Sequence, residues 1–306
     1  MKYLRKFNNH TEYETNRDNL IRPNVSYCVQ ENEVHYNPIP HDYSQDYLTF
    51  EALEDGTFSF KSGWYMPNEE DKVKYSLDNG STWTTLEFET PTPIVTAGSK
   101  ILWKGNIGPN YYQNKGIGTF SSTGQFNVEG NAMSLFFGDD FIGKTSLANA
   151  LTKGFYQLFY NCSNLISAEN LSLPATILNN YCYESMFQDC TSLTTAPSIL
   201  PSLLDGYNIG RCLGCYMNMF NGCTSLTTAP SLPATTLERY CYQYMFGGCT
   251  SLNYIKCLAT NISASNCTQN WVSGVASNGT FVKNASMTSW TTGESGIPSG
   301  WTVEDA

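Results

Sequence analysis

The sequence predicts a mainly β chain with short helices, built as a small N-terminal hairpin module, a β-sandwich and an array of stacked repeats. Three observations predict it. Short alternating strand patterns recur between Asp-Gly and Asn-Gly turn signals in the first half. A Cys-Thr-Ser-Leu unit recurs in the second half. Charged residues make up only 14% of the 306, and Ser, Thr, Asn, Gly and Tyr fill the surface instead, as in adhesive β-rich proteins.

The first module spans residues 1–42. A short helix is expected around Tyr13. Val25, Tyr27 and Val29 alternate on one side of a turn, and Val34 and Tyr36 on the other. The run from Val25 to Tyr36 therefore reads as a hairpin with Glu31-Asn32 at its tip. So small a unit can hardly build its own core, so it is expected to dock on a partner. Residues 43–137 carry strand patterns at Leu48–Ala52, Thr57–Phe60, Val73–Leu77, Ile101–Trp103 and Gln125–Val128. Turns at Asp55-Gly56 and Asp78-Asn79-Gly80 separate them, and the even spacing predicts a β-sandwich.

Residues 138–306 hold the repeat. Tyr181 to Pro197, Gly214 to Pro230 and Tyr240 to Leu252 align as copies, and Phe159, Cys162 and Leu165 mark a degenerate first one. Leu237, Cys241 and Met245-Phe246 have helical spacing, so the first half of each copy is expected to be a short helix. The second half, Leu226 to Leu232, is expected to be a short strand ending at Pro233. Stacked copies bury Leu on Leu and Cys on Cys, because one copy cannot bury its own face. The excess of the longer copy falls in Asp205 to Gly210, an expected rim loop. Gly279 to Val282 reads as a closing strand, and the tail with Trp290 and Trp301 as a cap.

Composition excludes several functions. A net charge of -10 lacks the basic groove that nucleic acid needs, and an anionic membrane surface repels it. No run approaches the roughly 18 apolar residues of a membrane span. Met1 to His10 has no apolar run behind it, so no secretory leader is expected. Triplets such as Asn79-Gly80-Ser81 are then chance matches to a glycosylation site. Eleven cysteines, an odd number, argue against a disulfide framework, and their repeat positions predict buried, reduced thiols.

The elements Met-Phe-x-x-Cys-Thr-Ser-Leu-Thr-Thr-Ala-Pro and Leu232 to Leu237 resemble the BspA-like class of leucine-rich repeats, over about residues 155 to 306. That resemblance implies a leucine-rich-repeat solenoid with an adhesive, non-enzymatic role. Met1 to Phe7 and Pro23 to Pro38 resemble the leader of virion proteins of phages infecting Bacteroidota, the crAss-like phages included. This implies an attachment module, centred on Tyr27, Val34, His35 and Tyr36, that binds phage capsid or fibre proteins. It also implies a homo-oligomer made in the host cytoplasm and displayed on the virion surface as a head fibre or similar subunit. A bacterial surface adhesin is the alternative, and a glycan-active enzyme the third reading.

Chemical motifs are weak. Gly138 to Thr145 matches the pattern of a phosphate-binding loop. Asp139 and Asp140, however, put negative charge where N–H groups must face phosphate, so a plain turn is expected. Cys212-x-x-Cys215 lacks a second ligand pair for zinc, and Cys215 is a repeat position. The three histidines, His10, His35 and His41, lie in or just before the end of the first module, so no repeat cysteine gains a catalytic partner. No catalytic, cofactor-binding or metal-binding residue is nominated.

Ligand contact is expected to a host-surface or mucosal glycan or protein. Tyr183, Tyr216 and Tyr242 each follow a repeat cysteine and align in a ladder on one wall, and Tyr207 lies in the inserted loop. These four are the candidate contacts. The competing reading has the rings flanking the core, since Tyr242 precedes Phe246 by one turn.

Overall fold

The computed structural model describes residues 4–6, 25–30, 33–38, 41–62, 72–87, 90–106, 116–147, 153–175, 180–198, 200 and 213–306. The chain is mainly β, with one short α-helix among the described residues. It divides into two units, Met1–Asp42 and Tyr43–Ala306.

The first unit is a three-stranded antiparallel sheet of β1 (Leu4–Lys6), β2 (Val25–Gln30) and β3 (Glu33–Pro38), in the order β1-β3-β2. β2 and β3 pair from Val25↔Pro38 to Gln30↔Glu33, the register of the expected hairpin. Its tip, Glu31-Asn32, lies outside the described residues, as does the helix expected around Tyr13. β1 is a strand that sequence reasoning did not place, and it pairs Leu4 with His35.

The second unit begins with two sheets that share an aromatic core. One is six-stranded, in the order β11-β10-β4-β8-β6-β7, and the other pairs β5 (Phe58–Ser62) with β9 (Gly118–Ser122). β4 (Leu48–Ala52), β8 (Lys100–Lys104) and β10 (Phe126–Asn131) alternate as a half-buried pleat demands. Leu48, Phe50, Ile101, Trp103, Phe126 and Val128 all point into the core. Phe50 is its hub, within 5.4 Å of the ring centres of Phe58, Trp103, Phe120 and Phe126. β6 (Lys74–Ser76) and β7 (Thr84–Thr85) complete the sheet around a turn at Asp78.

The expected boundary at residue 137 is not a break in packing. After α1 (Ser134–Phe137), β11 (Leu165–Ser172) returns to pair in parallel with β10, from Phe126↔Leu165 to Asn131↔Ser172. The Phe120 N–H donates to the Leu158 carbonyl at 2.8 Å, and Phe120 stacks on Phe159. The reason is physical. The first repeat has unpaired backbone groups on its outer side, and β10 of the six-stranded sheet and β9 of the two-stranded one supply their partners.

From there the repeats stack as coils, whose first halves span residues 153–162, 181–190, 214–223, 240–249 and 266–275. The expected short helices are absent from them. Each run is a chain of tight turns in which every fourth residue has positive φ, as at Tyr181, Ser185 and Asp189 or at Gly214, Asn218 and Gly222. N–H groups alternate in their use. Those of Tyr156, Leu158 and Tyr160 bond back three residues, to Lys153, Phe155 and Gln157. Those of Lys153, Phe155, Gln157, Phe159 and Asn161 donate to Asn180, Cys182, Glu184, Met186 and Gln188 of the next coil. An α-helix spends its N–H groups within itself, whereas this conformation frees half of them to join neighbours.

The second halves align in parallel. Asn127, Ser167, Thr195, Thr228, Tyr254, Thr280 and Thr302 form one continuous row of paired residues. Leu226 to Leu232 contributes bridges rather than the expected strand, because Pro230 and Pro233 have no N–H to donate. β12 (Tyr254–Cys257), β13 (Thr280–Lys283) and β14 (Thr302–Asp305) are full strands. The tail covers the last coil, since Trp290 stacks on Trp271 at 5.6 Å and Trp271 Nε1 donates to the Gly296 carbonyl. The insertion from Asp205 to Gly210 lies outside the described residues.

Candidate recognition surface

The coil interior consists of ladders. Phe159, Phe187, Phe220 and Phe246 stack at 5.3–5.7 Å with nearly parallel rings. A second aromatic column runs Phe155, Tyr183, Tyr216, Tyr242 and Trp271. Here the structure corrects the ligand-contact expectation. Tyr183, Tyr216 and Tyr242 are 0%, 1% and 1% exposed and belong to the core. Burial pushes the phenols of Tyr216 and Tyr242 well above the ordinary tyrosine range. Rings in that column cannot touch a ligand on the outside. Tyr207 lies outside the described residues.

The cysteines form two further ladders, Cys182–Cys215–Cys241–Cys267 and Cys162–Cys190–Cys223–Cys249, and these eight and Cys257 are all buried and outside any disulfide. Burial pushes the thiols of Cys162, Cys249 and Cys257 up to about 12. Thiolate is the reactive form, so these sulfurs are inert packing groups. Cys212 lies outside the described residues, and Cys215 is a ladder member.

The Gly138 to Thr145 loop is a turn anchored by its acidic residue. Asp139 accepts from Lys104 Nζ and from the Tyr47 hydroxyl, each at 2.7 Å. Lys104 also lies over the Trp83 ring at 4.2 Å, so the cluster satisfies itself. Among the described residues, no group of three or more His, Cys, Asp or Glu could hold a metal ion. No helix among them is long and apolar enough to cross a membrane.

No family model, curated protein or solved structure matches the chain.

Of the proposed attachment residues, Tyr27 pairs with Tyr36, Cys28 with His35 and Val29 with Val34 across β2 and β3. Tyr27, Val34, His35 and Tyr36 thus sit at the centre of one hairpin.

Several turn positions of the coils reach the outer wall, Asn161, Asp189 and Asn218 among them, whereas Ser185 is buried. Sequence reasoning missed Tyr181, Tyr240 and Tyr244, which are half-buried there with φ of 60°, 62° and 54°. Bulky residues pay roughly 1–3 kcal/mol in that left-handed region, where Gly, Asn and Asp sit easily. Equivalent positions in other coils hold Lys153, Gly214 and Asn266 where these hold Tyr181 and Tyr240, and Gln157, Ser185, Asn218 and Asn270 where Tyr244 stands, so positive φ belongs to the coil whatever residue occupies it. The Tyr181 ring lies across Gly214, where a Cβ would come within 2.6 Å of it. Around Tyr244, Asn270 Nδ2 donates to its hydroxyl at 3.2 Å, and Gln243 Nε2 donates to Gln269 Oε1 at 2.7 Å. Arg239 lies over the Tyr240 ring at 4.6 Å. The sequence signal was available: adjacent pairs such as Cys182-Tyr183, Cys215-Tyr216 and Met219-Phe220 turn inward every four residues, and Tyr181 stands outside such a pair.

Proposed function

We propose that this chain is a structural protein of a virion surface, a head fibre or similar fibre subunit, and that it has no catalytic role. The first unit attaches it to phage capsid or fibre proteins through the hairpin carrying Tyr27, Val34, His35 and Tyr36. The stacked coils are a leucine-rich-repeat solenoid of the BspA-like type, displayed outward to bind a host-surface or mucosal glycan or protein. The subunit acts as a homo-oligomer, is made in the host cytoplasm and needs no cofactor, nucleic acid or membrane insertion.

One observation carries this reading. The coils saturate one another's backbone donors in unbroken rows while their turn positions vary from Lys to Gly to Tyr. A scaffold fixed inside and variable outside suits recognition, with binding residues placed on rigid elements. The test is incorporation. Mass spectrometry and cryo-EM of purified virions should find the full chain on particles, and a chain lacking residues 1–42 should stay folded but be lost from them. Particles without the protein, or with the truncated form at full occupancy, would sink the proposal. Recovery from the outer surface of uninfected bacteria would favour the adhesin reading.

A further inference from the structure

We infer that Asn278 is a self-modification site, where the chain converts an asparagine to aspartate and isoaspartate with water as the only reagent, and that this hydrolysis loosens the end of the coil stack. The inference stands apart from the fibre reading and goes beyond it.

The chemistry is intramolecular. The backbone nitrogen of the residue after an asparagine attacks the side-chain Cγ. A new C–N bond forms, the bond to the side-chain nitrogen breaks, and ammonia leaves with the backbone proton. Water then opens the cyclic succinimide at either carbonyl, to aspartate or to isoaspartate. A following glycine favours the attack, because no Cβ shields its nitrogen and its backbone rotates most freely. The chain has three such pairs, Asn79-Gly80, Asn221-Gly222 and Asn278-Gly279.

The pairs differ in what holds the attacking nitrogen. The Gly80 N–H donates to Ser76 Oγ at 2.8 Å, and Ser76 is buried. The Gly222 N–H donates to the Gly247 carbonyl of the next coil at 2.8 Å, and Asn221 Nδ2 donates to the Tyr244 carbonyl at 3.3 Å. Either nitrogen has to give up a hydrogen bond before it can reach Cγ. Asn278 is exposed, and among the described residues no hydrogen bond holds its side chain or the Gly279 N–H. Packing requires the glycine, since a Cβ on Gly279 would come within 2.3 Å of the Asn253 carbonyl oxygen and 2.8 Å of the Trp301 ring. The fold itself thus calls for the residue that makes the pair labile.

Position decides what the modification does. Isoaspartate routes the main chain through Cβ and so lengthens it just before Thr280, the first residue of β13. The Thr280 N–H donates to the Asn253 carbonyl at 2.8 Å, and the Gly279 carbonyl accepts from the Thr302 N–H at 2.9 Å. These bonds set the register of β13 on β12 and of β14 on β13. Just upstream, Trp301 Nε1 donates to the Ala276 carbonyl at 2.7 Å. A longer link between Ala276 and Thr280, carrying a new negative charge, cannot keep all three bonds, and β14 is the last strand of the row.

The test is peptide mapping by mass spectrometry of the full chain held at pH 8 and 37 °C, both folded and in urea. In urea the three pairs should convert at similar rates. In the folded chain Asn278 should convert first, with Asn79 and Asn221 lagging about tenfold, the effect of one hydrogen bond that has to break. Ser76→Ala, once shown to melt cooperatively, should release the Gly80 N–H and quicken Asn79. Chains carrying isoaspartate at 278 should melt at a lower temperature than fresh ones. Asn278→Gln, whose longer side chain closes the ring far more slowly, should keep both its mass and its midpoint. Protection of Asn278 equal to that of the other two pairs overturns the inference, and so does earlier conversion of Asn79. An unchanged Asn79 rate in folded Ser76→Ala overturns the protection argument behind the ranking. An unchanged midpoint once half the chains carry isoaspartate overturns the link to the end of the stack.

Discussion

The Cys223 thiol donates to the carbonyl oxygen of Phe187 in the preceding coil at 3.0 Å. The same pair recurs on either side, Cys190 on Phe159 at 2.9 Å and Cys249 on Phe220 at 3.0 Å. Each carbonyl already accepts one N–H from its own coil, as Phe187 does from Cys190, and the thiol fills its second lone pair. Cysteine suits the position because it is small, apolar and a weak donor. Cys223→Ala should cost about 1–3 kcal/mol through lost packing and one lost bond, read as a shift in urea midpoint. Cys223→Ser keeps a donor but places a stronger polar group in an apolar ladder, and a loss of similar size is expected.

Thiol reactivity follows from the same burial. With Cys162, Cys249 and Cys257 at about 12 and Cys223 well above the usual thiol range, almost no thiolate exists at pH 8. The nine buried cysteines of the coils should react with a disulfide reagent only as fast as the coils open. Rapid labelling of most of them in the native protein would contradict the ladders.

Much of this architecture was legible in the sequence, and the misreadings have definite causes. The repeat, the hairpin and the cysteine burial follow from periodicity. The coil conformation does not, because Leu237, Cys241 and Met245 recur every four residues, which fits a helix and a run of four-residue turns equally well. The distinguishing signal was Asn161, Asp189, Gly222, Gly248 and Gly274 at one repeat position, residue types that accept positive φ. The packing across residue 137 was not legible because β10 and β11 pair in parallel across an intervening segment, a contact that no local pattern announces. The inward tyrosine ladder was misassigned because four-residue turns bury the adjacent pair Cys182-Tyr183, whereas a helix can leave the second member of such a pair on its flank.

Asp78 closes the turn between β6 and β7. Its carboxylate accepts from the Thr82 hydroxyl at 2.6 Å, the Thr82 N–H at 2.8 Å and the Ser76 hydroxyl at 2.7 Å. These bonds, the Thr82 hydroxyl first, lower its pKa to about 2. The folded value lies below the unfolded carboxylate value. The contribution is therefore complete above about pH 4 and is lost as pH falls through about 2. A carbon-detected titration should place the Asp78 midpoint near 2, and Asp78→Asn should flatten the acid limb of the stability profile. A midpoint near 4 would remove the turn's dependence on this charge.

Lys153 and Glu184 form a cross-coil pair at 3.1 Å, with 21% and 11% of their side chains exposed. Burial raises the Glu184 pKa, and Lys153 opposes the rise. A raised folded value in an acid means that stability is greatest at low pH and declines as pH rises through that value. Lys153→Met leaves the carboxylate unpaired and should cost roughly 2 kcal/mol at pH 7, below the cost for a fully buried pair. The loss should shrink at pH 4, where Glu184 takes up a proton, and Glu184→Gln in the same chain should recover most of it. A double-mutant cycle with no coupling at pH 7 would show that the pair is decorative.

The stack should not fold without the two sheets that precede it. β11 pairs with β10 on one side, and the Ile117, Phe120 and Phe126 N–H groups donate to Gly154, Leu158 and Asn164 of the first coil. Phe159, the first ring of the phenylalanine ladder, packs on Phe120 at 5.9 Å and Phe50 at 5.8 Å. Cutting at residue 137 exposes that ladder end and its backbone groups together, and a repeat array needs a polar cap at each end. At the other end Trp290 and the Gly296 carbonyl supply one. A chain of residues 138–306 should aggregate or melt without a cooperative transition, whereas residues 43–306 should give one transition by circular dichroism and by tryptophan fluorescence. A soluble, monomeric 138–306 fragment with the thermal midpoint of the longer chain would show that the coils cap themselves and that the sheets are a separate domain.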